Sequence, residues 1–270
     1  MSTAASQLTL VTAFSGSPDP TAVYLTPGLK AVLYKTRYAV EHRQGLAAIL
    51  GDPGLGKSTL MRYLYAHFSS LPSFLCVFVP NPNFKSDFAV LKKIAGDLGV
   101  EPKRSMLQQQ SEFEDWLVKQ YTEGNNIVVF IDEAQKLDSE QLELVRTLLN
   151  FETDKEKLIQ IVLAGNLELR DRLKLKKHKP LLSRVFAPSL ISPMTLEEMR
   201  GMLEVRCERE SLPFPFDEAS LKIIYDYSGG VPRHALRVAE FAYAQMRDLE
   251  LTTITSDIVE AMIEGLKIDE

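Results

Sequence analysis

Two cysteines in 270 residues, Cys76 in an apolar run and Cys207 in a helical stretch, give neither a disulfide framework nor a metal-ligand spacing. They read as buried thiols of a reducing compartment. Also missing is any apolar stretch approaching the roughly 18 residues a spanning helix takes. No lysine or arginine precedes the apolar patch within Met1 to Phe14, as a secretory leader requires. These absences lead to the expectation of a soluble, cytoplasmic chain with no membrane span. Positive charge is not in excess either: 31 Lys and Arg stand against 36 Asp and Glu, a net charge of −5. That excludes a uniformly basic nucleic-acid binder, so any contact with duplex DNA must be local. One segment is suited to it. From Glu168 to Arg184, the residues Arg170, Arg172, Lys174, Lys176, Lys177, Lys179 and Arg184 face only Glu168 and Asp171. A solvated helix face, a patch for an acidic neighbouring subunit and a DNA contact through Lys174, Lys176, Lys177 and Lys179 all fit such a run.

Against these absences stands one dense local signal. Gly51-Asp52-Pro53-Gly54-Leu55-Gly56-Lys57-Ser58 matches G-x-x-x-x-G-K-[ST] between an apolar run, Leu46 to Leu50, and a helical stretch from Thr59 to Phe68. Strand before and helix after are the context of a phosphate-binding loop. Glycines let the backbone curl until several N–H groups point at one phosphate chain, Lys57 reaches the β- and γ-phosphates, and the Ser58 hydroxyl can ligate Mg²⁺. The nucleotide-binding set is thus Gly51, Asp52, Pro53, Gly54, Leu55, Gly56, Lys57, Ser58 and Thr59. A second run, Ile127 to Ile131, ends in Asp132-Glu133-Ala134-Gln135 and reads as a strand buried on both faces of a parallel sheet. Its end opens onto the ligand crevice, where Asp132 would hold Mg²⁺ and Glu133 would polarise a water for attack on the γ-phosphate. No N-K-x-D base-reading pair is present, which favours ATP over GTP indirectly.

The rest of the chain alternates. Turn chemistry at Gly16-Ser17-Pro18-Asp19-Pro20 is followed by a helix over Pro27–Glu41. Further strands are expected at Phe74–Val79 and Leu158–Gly165, the latter ending at Asn166, and helices at Ser86–Leu98, Ser111–Glu123 and Leu137–Phe151. Repeated strand-helix units call for an α/β fold with a parallel sheet sandwiched by helices. From Pro193 the pattern is helical only: Leu196–Arg209, Asp217–Ser228, Pro232–Asp248 and Thr255–Leu266, with Asp217 and Ser256 as caps. The expected division is a flexible tail over 1–20, an α/β nucleotide-binding domain over 21–192 and a helical lid over 193–270.

Together, the phosphate loop, Asp132-Glu133, a strand ending in Asn166, the arginine of Leu181-Leu182-Ser183-Arg184 and Gly230-Val231-Pro232-Arg233 resemble a AAA+ P-loop NTPase over about residues 20 to 265. Within that superfamily the chain is most similar to the ExeA-like secretion ATPases and the related, TniB-like, transposon target-selection ATPases. They share the pattern from Ser17-Pro18-Asp19-Pro20 through Tyr24, the Asp132–Gln135 tetrapeptide and the G-x-P-R around Arg233. The resemblance implies sensor 1 at Asn166, sensor 2 at Arg233 and an arginine finger acting on a neighbouring subunit at Arg184, with Arg172 as its rival. It also implies a homo-oligomer, ring or helical filament, formed with ATP and Mg²⁺. Three roles follow: an ATP-controlled assembly on DNA serving a transposase, a secretion-associated ATPase, and a nucleotide-gated adaptor for a partner protein.

Overall fold

The computed structural model describes residues 13–16 and 23–266. They fall into two compact units, divided between Ser192 and Pro193, with residues 13–16 joining the second.

The first unit begins with α1 (Pro27–Glu41), followed by β1 (Leu46–Leu50), α2 (Lys57–Ser69), β2 (Phe74–Val79), α3 (Asp87–Asp97) and α4 (Met106–Thr122). Then come β3 (Asn126–Ile131), α5 (Ser139–Leu148), β4 (Ile159–Gly165), α6 (Leu167–Lys174), the single-turn α7 (Lys179–Leu182) and β5 (Val185–Leu190). All strands run parallel in the order β2-β3-β4-β1-β5. From β1 the chain crosses to the far edge, returns strand by strand to β4, and passes β1 again to reach β5. Every residue of β1, β3 and β4 is buried because helices cover both faces, which is why these strands read as largely apolar runs, with Asn126 and Gln160 as buried polar residues. At a point where the strand order reverses, the crevice beyond the strand ends is the place for a ligand.

The fifth strand is not apparent from sequence. Pro188 sits inside it, and a proline argues against a central strand. β5 is an edge, and Ile191 N–H donates to Leu50 O at 2.8 Å, so alternate residues face β1 while the missing N–H of Pro188 falls on the open side. α4 also starts five residues before its expected position, where Ser105 accepts from Gln108 N–H and caps it. Cys207 is buried as expected, whereas Cys76 is only half-buried; burial pushes both thiols up to about 11, so both stay protonated near neutral pH.

The second unit packs α8 (Leu196–Arg209), α9 (Glu218–Ser228), α10 (Pro232–Asp248) and α11 (Ser256–Leu266). Thr195 with Glu198 makes a capping box on α8, and Asp217 caps α9. Ser256 is the first helical residue of α11 and not the residue before it. The expectation of a flexible tail over 1–20 fails where it can be examined. Phe14 is 1% exposed and lies edge-on to Phe216 and Tyr243, at 5.5 and 5.6 Å, while Arg206 donates to the carbonyls of Ala13 and Ser15. The turn at Ser17 to Pro20 lies outside the described residues. No helix among the described residues is long and apolar enough to cross a membrane.

Gly230 fixes the start of the helical unit. It sits at φ 73°, and Met194 N–H donates to its carbonyl at 2.8 Å, so a Cβ would lie 2.1 Å from Met194 O. Gly230→Ala therefore combines left-handed strain with a backbone collision and is expected to lower unfolding free energy by about 3 kcal/mol. Gly265→Ala, in α11 with open space around it, is expected to be neutral or stabilising. Urea unfolding of the two variants checks this, and equal effects would contradict it.

Candidate nucleotide-binding and hydrolysis site

Three strand ends converge. β1 delivers Gly51, β3 delivers Asp132 and β4 delivers Asn166, and the first and last are joined where Gly51 N–H donates to Gly165 O at 3.3 Å. Gly51 passes so close to β5's end that a Cβ would meet Ile191 O at 3.0 Å. Gly54 and Gly56 stand at φ 86° and 91°, turning the chain tightly into α2. A difference between helices then matters. α1, α3, α4, α5 and α6 are capped by the side chains of Thr26, Ser86, Ser105, Asp138 and Asn166, but no side chain caps α2. Its first-turn amides and positive dipole end are left for an anion.

Lys57 is 7% exposed, an unusual position for a lysine. Its ammonium donates to the carbonyls of Gly51 and Asp52 at 2.9 and 2.8 Å, which folds it back over the loop it belongs to. One residue on, the Ser58 hydroxyl lies beside the Asp132 carboxylate and favours its ionised form. Asp132 is 4% exposed, and burial pushes its carboxyl above the ordinary range while the Ser58 hydroxyl, the Glu133 N–H at 2.9 Å and the charge of Lys57 pull the other way. A buried carboxylate beside a hydroxyl fits a hard cation. Mg²⁺ keeps several waters and takes phosphate oxygens, so one hydroxyl and one carboxylate are a sufficient protein contribution. The glycine turn, the lysine and this pair fit a magnesium–nucleoside triphosphate.

Glu133 lies just outside, half-exposed, at φ 52° and ψ 36°. That left-handed conformation turns its side chain away from the direction the strand would give it. Its carboxylate accepts from Gln135 Nε2 at 2.6 Å, and Gln135 Oε1 accepts from Asn166 N–H at 3.3 Å. Asn166 uses its own Oδ1 to cap α6 by accepting from Leu169 N–H at 3.3 Å. Thus Gly51 to Thr59, Asp132, Glu133 and Asn166 come together. Gln135 and its partner Arg172 join them: from sequence Gln135 is only the last residue of the Asp132–Gln135 tetrapeptide, with no role, and Arg172 only a rival arginine finger.

The other candidates lie elsewhere. Arg184 precedes β5, whose first residue pairs with Leu46, so it stands at the end of the sheet remote from the loop, and it donates to Arg146 O at 3.2 Å. Arg172 donates to Gln135 O at 2.6 Å and Leu137 O at 2.5 Å, so its guanidinium is engaged within its own chain. Arg233, second residue of α10, is exposed on the helical unit. Lys174, Lys176, Lys177 and Lys179 are all exposed along α6, the following turn and α7; Lys177 donates to Ser139 Oγ at 2.7 Å and Lys174 lies 3.9 Å from Asp171.

Residues 40–173 match the AAA domain family. The chain is 28% identical over 224 residues to General secretion pathway protein A of Aeromonas hydrophila, an alignment that covers 82% of this chain and 40% of that protein. It therefore spans well under half of that relative's length. Among solved structures it is similar to Cdc6p of Pyrobaculum aerophilum, with 18% identity and a TM-score of 0.69 over 95% of this chain and 72% of that one. The ORC2 protein of Aeropyrum pernix gives 18%, 0.65, 95% and 72%. The Thermotoga maritima RuvB Holliday junction branch migration motor gives 21%, 0.59, 90% and 70%.

Because Asp132 binds a proton more tightly in the fold than in the unfolded chain, its ionised form destabilises the nucleotide-free protein at neutral pH. That cost disappears as pH falls below the raised value. Asp132→Asn is expected to raise the thermal midpoint at pH 7 without nucleotide, and the gain should narrow on acidification. A loss of stability at pH 7, or a gain that grows toward acid, contradicts this account.

Proposed function

We propose that this chain, an AAA+ protein whose residues 40–173 form an AAA domain, binds and hydrolyses ATP between its own copies and works as a nucleotide-controlled assembly switch. The observation that carries the reading is the convergence of an uncapped start of α2, a buried Lys57 folded over its own glycine loop, and a buried Asp132 at the end of β3. Bound magnesium–ATP supplies the phosphoanhydride to be broken and the charge that needs shielding. The loop amides and Lys57 hold the phosphates, Ser58 and Asp132 hold the cation, and Glu133 orients and deprotonates the attacking water. Asn166 steadies that water, and Arg233, exposed at the start of α10, is assigned the role of second sensor on the G-x-P-R pattern alone.

An arginine from the adjacent copy completes the set. The remote position of Arg184 from its own phosphate loop supports its use on a neighbour, where such a group is worth about 10³-fold or more in turnover. ATP held between copies favours the closed assembly, and hydrolysis releases it. Two outputs are compatible with this switch. The exposed lysines of α6 and α7 support assembly on duplex DNA, in the manner of a partner to a transposase. The likeness to General secretion pathway protein A favours a secretion-associated role for the same engine.

Light scattering tests the switch. Glu133→Gln is expected to bind ATP and accumulate as an oligomer, while Lys57→Ala binds no ATP and stays small; a Glu133→Gln chain that remains monomeric at micromolar concentration with saturating ATP sinks the interface.

DNA affinity measured against salt separates the outputs. Replacing Lys174, Lys176 and Lys179 together by Gln should weaken binding and reduce the slope of log affinity against log salt by about 3, since each neutralised phosphate contributes roughly 0.9. No DNA binding by the parent protein at low salt moves the output to the secretion-associated role.

A further inference from the structure

We propose that Gln135 is the positioning residue of Glu133, and that Arg172 of the same subunit holds Gln135 in place. The inference rests on the ATPase reading and deepens it. The side chain of Gln135 is used at both ends: Nε2 donates to Glu133 Oε2 at 2.6 Å, and Oε1 accepts from Asn166 N–H at 3.3 Å. Its orientation is dictated by chemistry, because a carboxylate only accepts and a backbone N–H only donates, so the flipped amide would lose both partners. Its backbone is held as well. Arg172 spans the carbonyls of Gln135 and Leu137 with two guanidinium nitrogens, at 2.6 and 2.5 Å, closing the turn after the acidic pair with one planar fork.

β4 leaves room for this arrangement. At Gly165 a Cβ would lie 3.2 Å from Gln135 Oε1 and 2.6 Å from Leu169 Cδ2, so any other residue there would press on the amide and on α6. Glu133 needs the brace. Its left-handed backbone persists only where the surroundings fix it, and a half-exposed carboxylate would otherwise sample several rotamers. Gln135 therefore links the end of β4, where Asn166 senses the occupant, to the carboxylate that acts on water. Arg172 adds α6, the first helix of the basic segment, to the same turn. Arg172, held against two carbonyls beside Gln135, acts in cis, and Arg184, at the end of the sheet remote from its own phosphate loop, takes the trans role.

The test compares hydrolysis and fluorescent-nucleotide binding for the full chain. Gln135→Leu, similar in volume and without polar atoms, should lower kcat by about tenfold or more, with nucleotide affinity kept within about twofold. Gln135→Glu, which sets a second charge against Glu133, should do so at least as strongly. In a Glu133→Gln background, Gln135→Leu should cause no further loss, because its effect runs through that carboxylate. Mixing subunits separates cis from trans: Arg184→Ala with Glu133→Gln should recover activity, whereas Arg172→Ala with Glu133→Gln should not. Unchanged kcat in Gln135→Leu, an equal loss of nucleotide binding, or recovery in the Arg172→Ala mixture overturns the proposal. A wild-type chain no faster than Glu133→Gln refutes the ATPase reading itself, and the proposal with it, whereas an active wild type beside a fully active Gln135→Leu refutes only the proposal.

Discussion

Burial of one carboxylate organises the site. Asp132 ends a strand covered on both faces, and at 4% exposure it has lost the water that would keep it comfortably ionised. Two neutral donors, the Ser58 hydroxyl and the Glu133 N–H, compensate only in part. A divalent cation would remove the deficit, and the same hydroxyl lies in the first turn of the one long helix of its unit whose N-terminus no side chain caps. Charge, helix end and loop thus share one unsatisfied demand, which a cation–polyphosphate pair meets. An apolar residue at 132 would stabilise the strand end and remove the reason for the rest.

Close approaches and one left-handed non-glycine residue meet at this point. Gly51 and Gly165 are pressed by the neighbouring strand end and helix, so that the loop, β4 and α6 approach more closely than side chains permit. Glu133 holds a backbone conformation that non-glycine residues rarely adopt. Such departures persist because fully buried β1, β3 and β4 fix the framework from which they project. Glu133 is displaced from the regular strand path, and the hydrogen bond from Gln135 Nε2 holds its carboxylate.

The parts of this arrangement that were legible in sequence are those with a short-range physical signature. Largely apolar runs gave β1, β3 and β4 because both faces are covered. Gly-rich spacing gave the loop because only glycines make that turn, and caps such as Asp217 gave helix starts. β5 stayed hidden since polarity does not follow its alternating burial, with Phe186 and Leu190 outward and Ser189 buried, and since Pro188 is acceptable only because the strand is an edge. Phe14 stayed hidden because the short apolar patch it ends carries no period, and its partners Phe216 and Tyr243 lie some 200 residues away in the chain. In sequence Arg172 is a basic-segment residue and a rival arginine finger; its engagement with two carbonyls of the Gln135–Leu137 turn depends on how β3 and β4 lie side by side. Long-range pairing of this kind leaves no local trace.

The most direct test of the account is phosphate release from magnesium–ATP by the purified chain, measured per subunit over a range of protein concentration. Hydrolysis at a site completed by a neighbour predicts turnover that rises with concentration and then levels off as the assembly saturates. Phosphate release indistinguishable from that of Glu133→Gln at every concentration, or turnover per subunit that does not change with concentration, would contradict it.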